Sequence, residues 1–173
     1  MMSDEQIGQR GQQWLEQLLQ LSGVSTQVTA KLQTPKTENS DPEEHDSYWL
    51  TIEQSSLLPE QVQALIGAEG SVLDAIQYLA NATLNLNQPQ ERQAAYIIEL
   101  DGYRLRRQAE IQAIATSAIE QVRTTGQEVE IKSLSSAERR QIHTFLKDFS
   151  DLESFSRGKE PHRQLVIRTI GSS

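Results

Sequence analysis

The stretch LIGAEGSVLDAIQYL, Leu65 to Leu79, constrains this chain more than any other. Two glycines, Gly67 and Gly70, stand three apart where one apolar helical pattern stops and another starts. Pro59 suits the first turn of a short helix whose apolar side is Val62, Leu65 and Ile66, ending at Gly67. A second helix is predicted from Ser71, with Val72, Leu73, Ile76, Leu79 and Ala80 facing inward. Glycine lets a backbone turn tightly and approach a ligand, and a helix start offers free amides with the positive end of a dipole. The junction therefore reads either as a dock for a phosphate-sugar backbone or as a helix stop with a tight connector, and its flanks must decide.

Before the junction, Trp14, Leu15, Leu18 and Leu19 recur at helical spacing between Gln12 and Leu21, and Gly23 follows as a stop. Val28, Ala30 and Leu32 then alternate with polar residues, as do Tyr48, Leu50 and Ile52, which predicts two half-buried strands. Between them TPKTENSDPEEHDS reads as a long solvated loop. After the junction, Ala94 to Leu100 is a short buried strand, and DGYR turns out of it. A long helix runs from there to about Arg123, with Ile111, Ile114, Ala115, Ala118 and Val122 on one side. Thr124 to Gln127 form a break.

The remaining segment has its own pattern. Val129 and Ile131 alternate with Glu128 and Glu130, and Ser135 with Glu138 makes a capping box at the head of a helix. That helix buries Ile142, Phe145, Leu146 and Phe149, and the tail reads as two strands joined across Gly158 to His162. At 173 residues the chain has room for one ordinary domain or two small ones.

Charge separates the halves. The net charge is −8, but residues 1–90 hold three Lys/Arg against twelve Asp/Glu, a net of −9, and residues 91–173 hold thirteen against twelve. From Lys132 onward the balance is +3, so a nucleic-acid surface belongs towards the C-terminus. The absence of cysteine excludes disulfides and thiolate metal sites and suits the reducing cytoplasm. No apolar run has the length of a membrane span, and Met1 to Arg10 lack the order of a signal peptide. The expectation is a soluble, unexported, cytoplasmic protein without membrane insertion.

On the C-terminal helix Arg139, Arg140, His143 and Lys147 fall within an arc of roughly 100° well away from the apolar stripe, which predicts one exposed basic face. An ordinary solvated helix face has the same pattern. Arg104 and Arg107, three apart, either extend a phosphate track as auxiliary contacts or pair with Asp101 and Glu110. The histidines His45, His143 and His162 have no metal-ligand spacing, and nothing in the sequence brings His143 and His162 together as an acid/base pair. No catalytic residue, metal site or cofactor is assigned. Asn81-Ala82-Thr83 fits a glycosylation pattern but lies on a predicted helix, and it is set aside.

The order helix, strand, strand, helix, G-x-x-G, helix, strand resembles a type II KH domain, and LIGAEGSVLDAIQYLANATLN resembles the KH segment of the bacterial Jag family in particular. The pattern Arg139-x-x-x-His143 followed by SRGKEPHR resembles the R-3-H domain, which binds single-stranded nucleic acid. DGYR and the helix after it extend the likeness from about Val28 to Ile170. The fold expected is α+β: an N-terminal helix over 1–24, a KH-like domain over 25–101, a linking helix over 102–126 and a small α+β R-3-H domain over 127–171. Many Jag proteins carry a further N-terminal domain, and with only a short helix before the KH-like segment the expectation is a short form that lacks it.

The resemblance implies a regulatory protein that binds single-stranded RNA and is no enzyme. Carried over by position, Arg139 and His143 match the naming motif, and Ser156, Gly158 and Arg163 match the later strand and turn. Arg139 and Arg163 would contact phosphate, and His143 would stack or hydrogen-bond. Arg140, Lys147, Arg157 and Lys159 are supporting charges. In the KH loop Gly67-Ala68-Glu69-Gly70, Ala68 and Glu69 stand where the family has Lys or Arg, so the loop is a weakened clamp. Family membership further implies a small KH-only protein or insertase-linked machinery as partners. The alternative is an interaction adaptor, associated with the membrane insertase or the ribosome, whose acidic KH-like half binds protein and whose RNA contact is minor.

Overall fold

The structure is a computed structural model and describes residues 3–33 and 47–171. Residues 34–46, most of the expected solvated loop together with His45, lie outside the described residues. The protein is α+β with two three-stranded sheets, and it divides at Arg104/Leu105 into two compact units.

The first unit opens with α1, Asp4–Leu21. This helix lies within the segment expected and extends eight residues ahead of the apolar pattern that starts at Gln12, on a capping box in which Gln6 N donates to Ser3 Oγ and Ser3 N donates to Gln6 Oε1. Gly8 and Gly11 lie in this extension, although glycine in a helix interior is a weak helix former. Packing explains them: a Cβ on Gly11 would lie 2.6 Å from the Tyr96 ring, and one on Gly8 would lie 3.2 Å from the Tyr48 ring. The helix comes close enough for Leu15 and Leu19 to be fully buried.

Strands β1 (Val28–Gln33) and β2 (Ser47–Ile52) pair antiparallel, and β3 (Ala95–Leu100) joins β2 in parallel. A parallel neighbour needs a crossover. Here the crossover is α2 (Pro59–Ile66), a 3-10 turn over Ala68–Gly70, and α3 (Ser71–Asn85). Val28, Leu50, Ile52, Ile98 and Leu100 make the sheet's side of the core, and Leu73, Ile76, Ala80 and Leu84 supply α3's side. Val72 and Leu79, expected to face inward, remain 38% and 48% exposed. Only one stripe of α3 touches the sheet, and Leu84 on that stripe is buried in their place. This order and pairing are consistent with the KH-like domain expected.

The free edge of β3 is closed by side chains from α3. Asn85 pairs with the amide and carbonyl of Ala94, Asn81 does the same for Tyr96, and Gln77 Oε1 accepts from Ile98 N. Arg104 Nε donates to Ile98 O. Three amides spaced four apart on one helix face thus stand in for a fourth strand, so the outward groups of β3 from Ala94 to Ile98 are satisfied internally.

The second unit is built on α4 (Tyr103–Thr125), β4 (Val129–Ile131), α5 (Ser136–Leu146), β5 (Leu152–Arg157) and β6 (Gln164–Thr169). The sheet is antiparallel with β6 between β4 and β5. The helix read as a linking element gives Ile111, Ala115, Ala118, Ile119 and Val122 to this unit's core, against Ile142, Leu146, Leu152, Leu165 and Ile167. Ile114, expected among them, is 37% exposed, and Ile119 is buried instead. Ser135 and Glu138 form the expected capping box, and Arg107 Nε from α4 grips Glu138 Oε1 at 2.8 Å. The N-terminus of α5 is therefore held from two sides. Among the described residues no helix is long and apolar enough to cross a membrane.

Candidate nucleic-acid interface

Two places were singled out by the sequence, and the structure treats them differently. In the G-x-x-G junction both glycines are required by geometry. Gly67 has φ 73° and ψ 179°, a region closed to residues with a side chain, and a Cβ there would lie 2.6 Å from Val72 Cγ2. Gly70, the N-cap of α3, has φ 78°, and a Cβ on it would lie 2.4 Å from the Tyr103 hydroxyl oxygen. Gly67 N donates to Gln63 O and Gly70 N to Gly67 O, so both glycine amides serve the fold. Between them Ala68 and Glu69 are exposed, and Glu69 holds a left-handed backbone at φ 52°, ψ 32°. The loop displays a carboxylate where a phosphate-binding loop displays a cation.

Arg104 and Arg107 are both engaged in ion pairs. Arg104 bonds Asp74, Gln77 and the Ile98 carbonyl, so its partner is Asp74 rather than the Asp101 expected from spacing. A contact across 30 positions has no local signature. Arg107 does pair with Glu110, at 3.2 Å, and more closely with Glu138.

In the second unit a cleft of about 360 Å³ gathers Arg139, Arg140, His143, Phe155, Ser156 and Arg163. Helix α5 supplies the first three, β5 supplies Phe155 and Ser156, and Arg163 comes from the hairpin before β6. Arg140, His143 and Arg163 are exposed, and neither Arg140 nor Arg163 is in an ion pair among the described residues. The His143 ring is anchored through Nδ1, 2.6 Å from Ser154 Oγ.

Arg139 departs from the exposed basic face that the helical arc predicts. It is 6% exposed, and its guanidinium donates to Leu134 O at 2.7 Å, to Ser136 Oγ at 3.1 Å and to Arg163 O at 3.4 Å, and it pairs with the Glu160 carboxylate. The arc is right, but the β5–β6 hairpin folds over that end of α5 and covers this one residue. The same bonds set the Arg163 backbone at the cleft mouth.

The supporting charges scatter. Arg157 is bound by Glu128 and Glu130 of the β4 edge at 2.8 and 2.7 Å, and this ion pair holds the Glu128 carboxyl below the usual carboxylate range. Lys147, Lys159 and His162 are exposed and do not line the cleft, and Gly158 makes the hairpin turn at φ 88°. Phe155 was missed by sequence reading. Its ring has the guanidiniums of Arg157 and Arg168 at 5.4 and 5.0 Å, and its signal was an aromatic one step before Ser156 in a strand otherwise polar after Leu152.

Comparison with known proteins follows this division. Residues 109–169 match the R-3-H domain model, a span that lies inside the second unit. The chain is similar to a protein named RNA-binding protein KhpB from Lactiplantibacillus plantarum, 33% identical over 103 residues that cover 60% of this chain and 31% of the relative. It is also similar to proteins of the same name from Clostridium symbiosum, 29% identical over 65% of this chain and 50% of the relative, and from Bacillus subtilis, 28% identical over 62% and 52%. The match thus spans 31–52% of the length of these relatives.

Proposed function

We infer, for a chain that carries an R-3-H domain and has homologues named RNA-binding protein KhpB, of the Jag family, that it binds single-stranded RNA through the α5/β5–β6 cleft. The observation that carries the reading is the cleft itself, which draws two arginines with no carboxylate partner among the described residues, an anchored histidine and an aromatic ring into one concave surface. Single strands are held by cations that track the phosphates and by flat groups on which bases stack. Arg140 and Arg163 take the phosphates, His143 and Phe155 meet the bases, and Ser156 offers a hydroxyl. Arg139 acts one step back, holding the hairpin that presents Arg163. The action is binding, as the names of the homologues have it, and its place is the bacterial cytoplasm.

A second reading is favoured by a specific observation. The G-x-x-G loop presents Glu69, and residues 1–90 carry a net −9, so the first unit suits a protein partner better than RNA. RNA contact then rests on the second unit.

The test is binding to a labelled single-stranded RNA pool across a salt series, for the native chain and for an Arg140→Ala/His143→Ala/Arg163→Ala variant. A phosphate site loses affinity linearly in log salt, by about 0.7 per contact on single strands. The native chain is expected to show such a slope and the folded variant to lose binding. Undiminished binding by the variant would move the RNA site elsewhere, and no binding by the native chain at low salt would leave the adaptor reading.

A further inference from the structure

The two edges of the first sheet are treated in opposite ways. The β3 edge is filled by Gln77, Asn81, Asn85 and Arg104. At the other edge, β1 pairs only with β2 among the described residues. The bond from Glu53 N to Gln27 O fixes which residues face β2: Gln27, Thr29, Lys31 and Gln33 point inward, so Val28, Ala30 and Leu32 turn their amides and carbonyls outward. Val28 N is taken by Glu16 Oε1 at 3.0 Å. That leaves the carbonyl of Val28 and both backbone groups of Ala30 and Leu32 facing out of the sheet.

This edge runs beside two clefts along α1. One, of about 630 Å³, is lined by Glu16, Gln20 and the residues from Val24 to Thr29, and the other, of about 290 Å³, by Asp4, Glu5, Ala30 and Leu32. Gln12 lines both, so they are neighbours along α1. No lysine or arginine lines either cleft, while three carboxylates do. An edge strand that no described strand covers, beside a groove, is the geometry used for strand addition by an extended peptide.

We propose that the β1 edge of this chain is a docking site for an extended basic peptide segment, which adds as a fourth strand over Val28 to Leu32. Backbone bonds to Ala30 and Leu32 hold the strand. Alternation gives it a pattern: every second side chain lies on the α1 side, where Asp4, Glu5 and Glu16 select lysine or arginine. The others lie on the side of Thr29 and Lys31, where a neutral residue fits. The carboxylates oppose RNA along this edge, and they oppose a second copy of β1, whose own acidic α1 would come with it.

The test uses the full chain and a fluorescent peptide of about ten residues alternating lysine with threonine, beside an isomer with the same residues in two blocks. The alternating peptide is expected to bind at least about tenfold more tightly than the isomer and to slow hydrogen exchange at the Ala30 and Leu32 amides. Ala30→Pro, which removes an outward amide at an edge position where proline is tolerated, and Asp4→Lys/Glu5→Lys, on exposed residues of α1, are each expected to weaken it by a similar factor. Their unchanged RNA binding and circular dichroism report that the fold is intact. Equal binding of the two isomers, no binding at low salt, or indifference to both variants overturns the proposal. So does protection of Ala30 and Leu32 without peptide, in a dimer by sedimentation or in the monomer. Because RNA affinity is read on the same samples, failure here is separate from failure of the RNA-binding reading.

Discussion

Asn81 is paired to Tyr96 twice: its Nδ2 donates to the Tyr96 carbonyl at 2.8 Å, and the Tyr96 amide donates to its Oδ1 at 2.9 Å. A residue that reads as a glycosylation acceptor in sequence is the middle rung of the seal on the β3 edge. Its removal leaves two backbone groups of a buried residue unpaired. Asn81→Ala is expected to cost about 2–6 kcal/mol, from about 1–3 for each of the two unsatisfied groups. Urea denaturation measures it, and Asn81→Asp, which keeps the acceptor, should cost less.

Gly70 and Gly126 separate steric from conformational demand. Both have positive φ, but a Cβ at Gly70 meets the Tyr103 ring, while nothing lies within 4 Å of one at Gly126. Gly126→Ala should cost about 1–2 kcal/mol, the left-handed penalty alone. Gly70→Ala should cost about 1–3 kcal/mol more through overpacking. Paired denaturation midpoints decide it, and an RNA defect in a Gly70 variant must be read against that loss of stability.

Arg139 and Arg163 should divide between stability and binding. Arg139→Ala removes the cation beside Glu160 and the donor to the Leu134 carbonyl, leaves Ser136 only its bond to Glu160, and is expected to cost about 2–4 kcal/mol. Arg163→Ala should change stability by less than about 0.5 kcal/mol, as exposed substitutions do, while lowering RNA affinity and the salt slope. Thermal melts beside anisotropy titrations check both. Equal stability losses would place Arg163 in the fold and not at the cleft mouth.

Glu69→Lys should create RNA affinity in the first unit. The clean background is the Arg140→Ala/His143→Ala/Arg163→Ala variant, in which the cleft is silent. Binding that reappears at low salt there and is screened away by about 0.2 M salt identifies Glu69 as the group that keeps the loop off RNA.

Acid should weaken the second unit in a defined way. Asp151 is held below its ordinary range chiefly by its hydrogen bond to Arg123, and Glu128 by Arg157. A carboxylate depressed in the folded state stabilises above its unfolded pKa, about 3.9 for Asp and 4.3 for Glu, and that contribution disappears as pH falls through the folded value. Melting temperature should therefore fall below about pH 4, and fall less steeply in an Asp151→Asn/Glu128→Gln variant.

What the sequence by itself determined follows from local rules. Apolar spacing marks the helices and strands, the capping box of Ser135 and Glu138 fixes where α5 starts, and Gly67 and Gly70 stand where geometry admits only glycine. The R-3-H pattern was likewise legible, because its residues sit on one helix and one hairpin. What the tertiary structure alone decided depends on contacts between residues far apart in the chain. Gly8 and Gly11 look like helix breakers until the rings of Tyr48 and Tyr96 require them. Arg139 reads as exposed until the hairpin closes over it, and Arg104 could not be assigned to Asp74 by spacing. The two sheet edges carry no sequence mark of open or closed, since that depends on whether a helix in another part of the chain lays its amides along the strand.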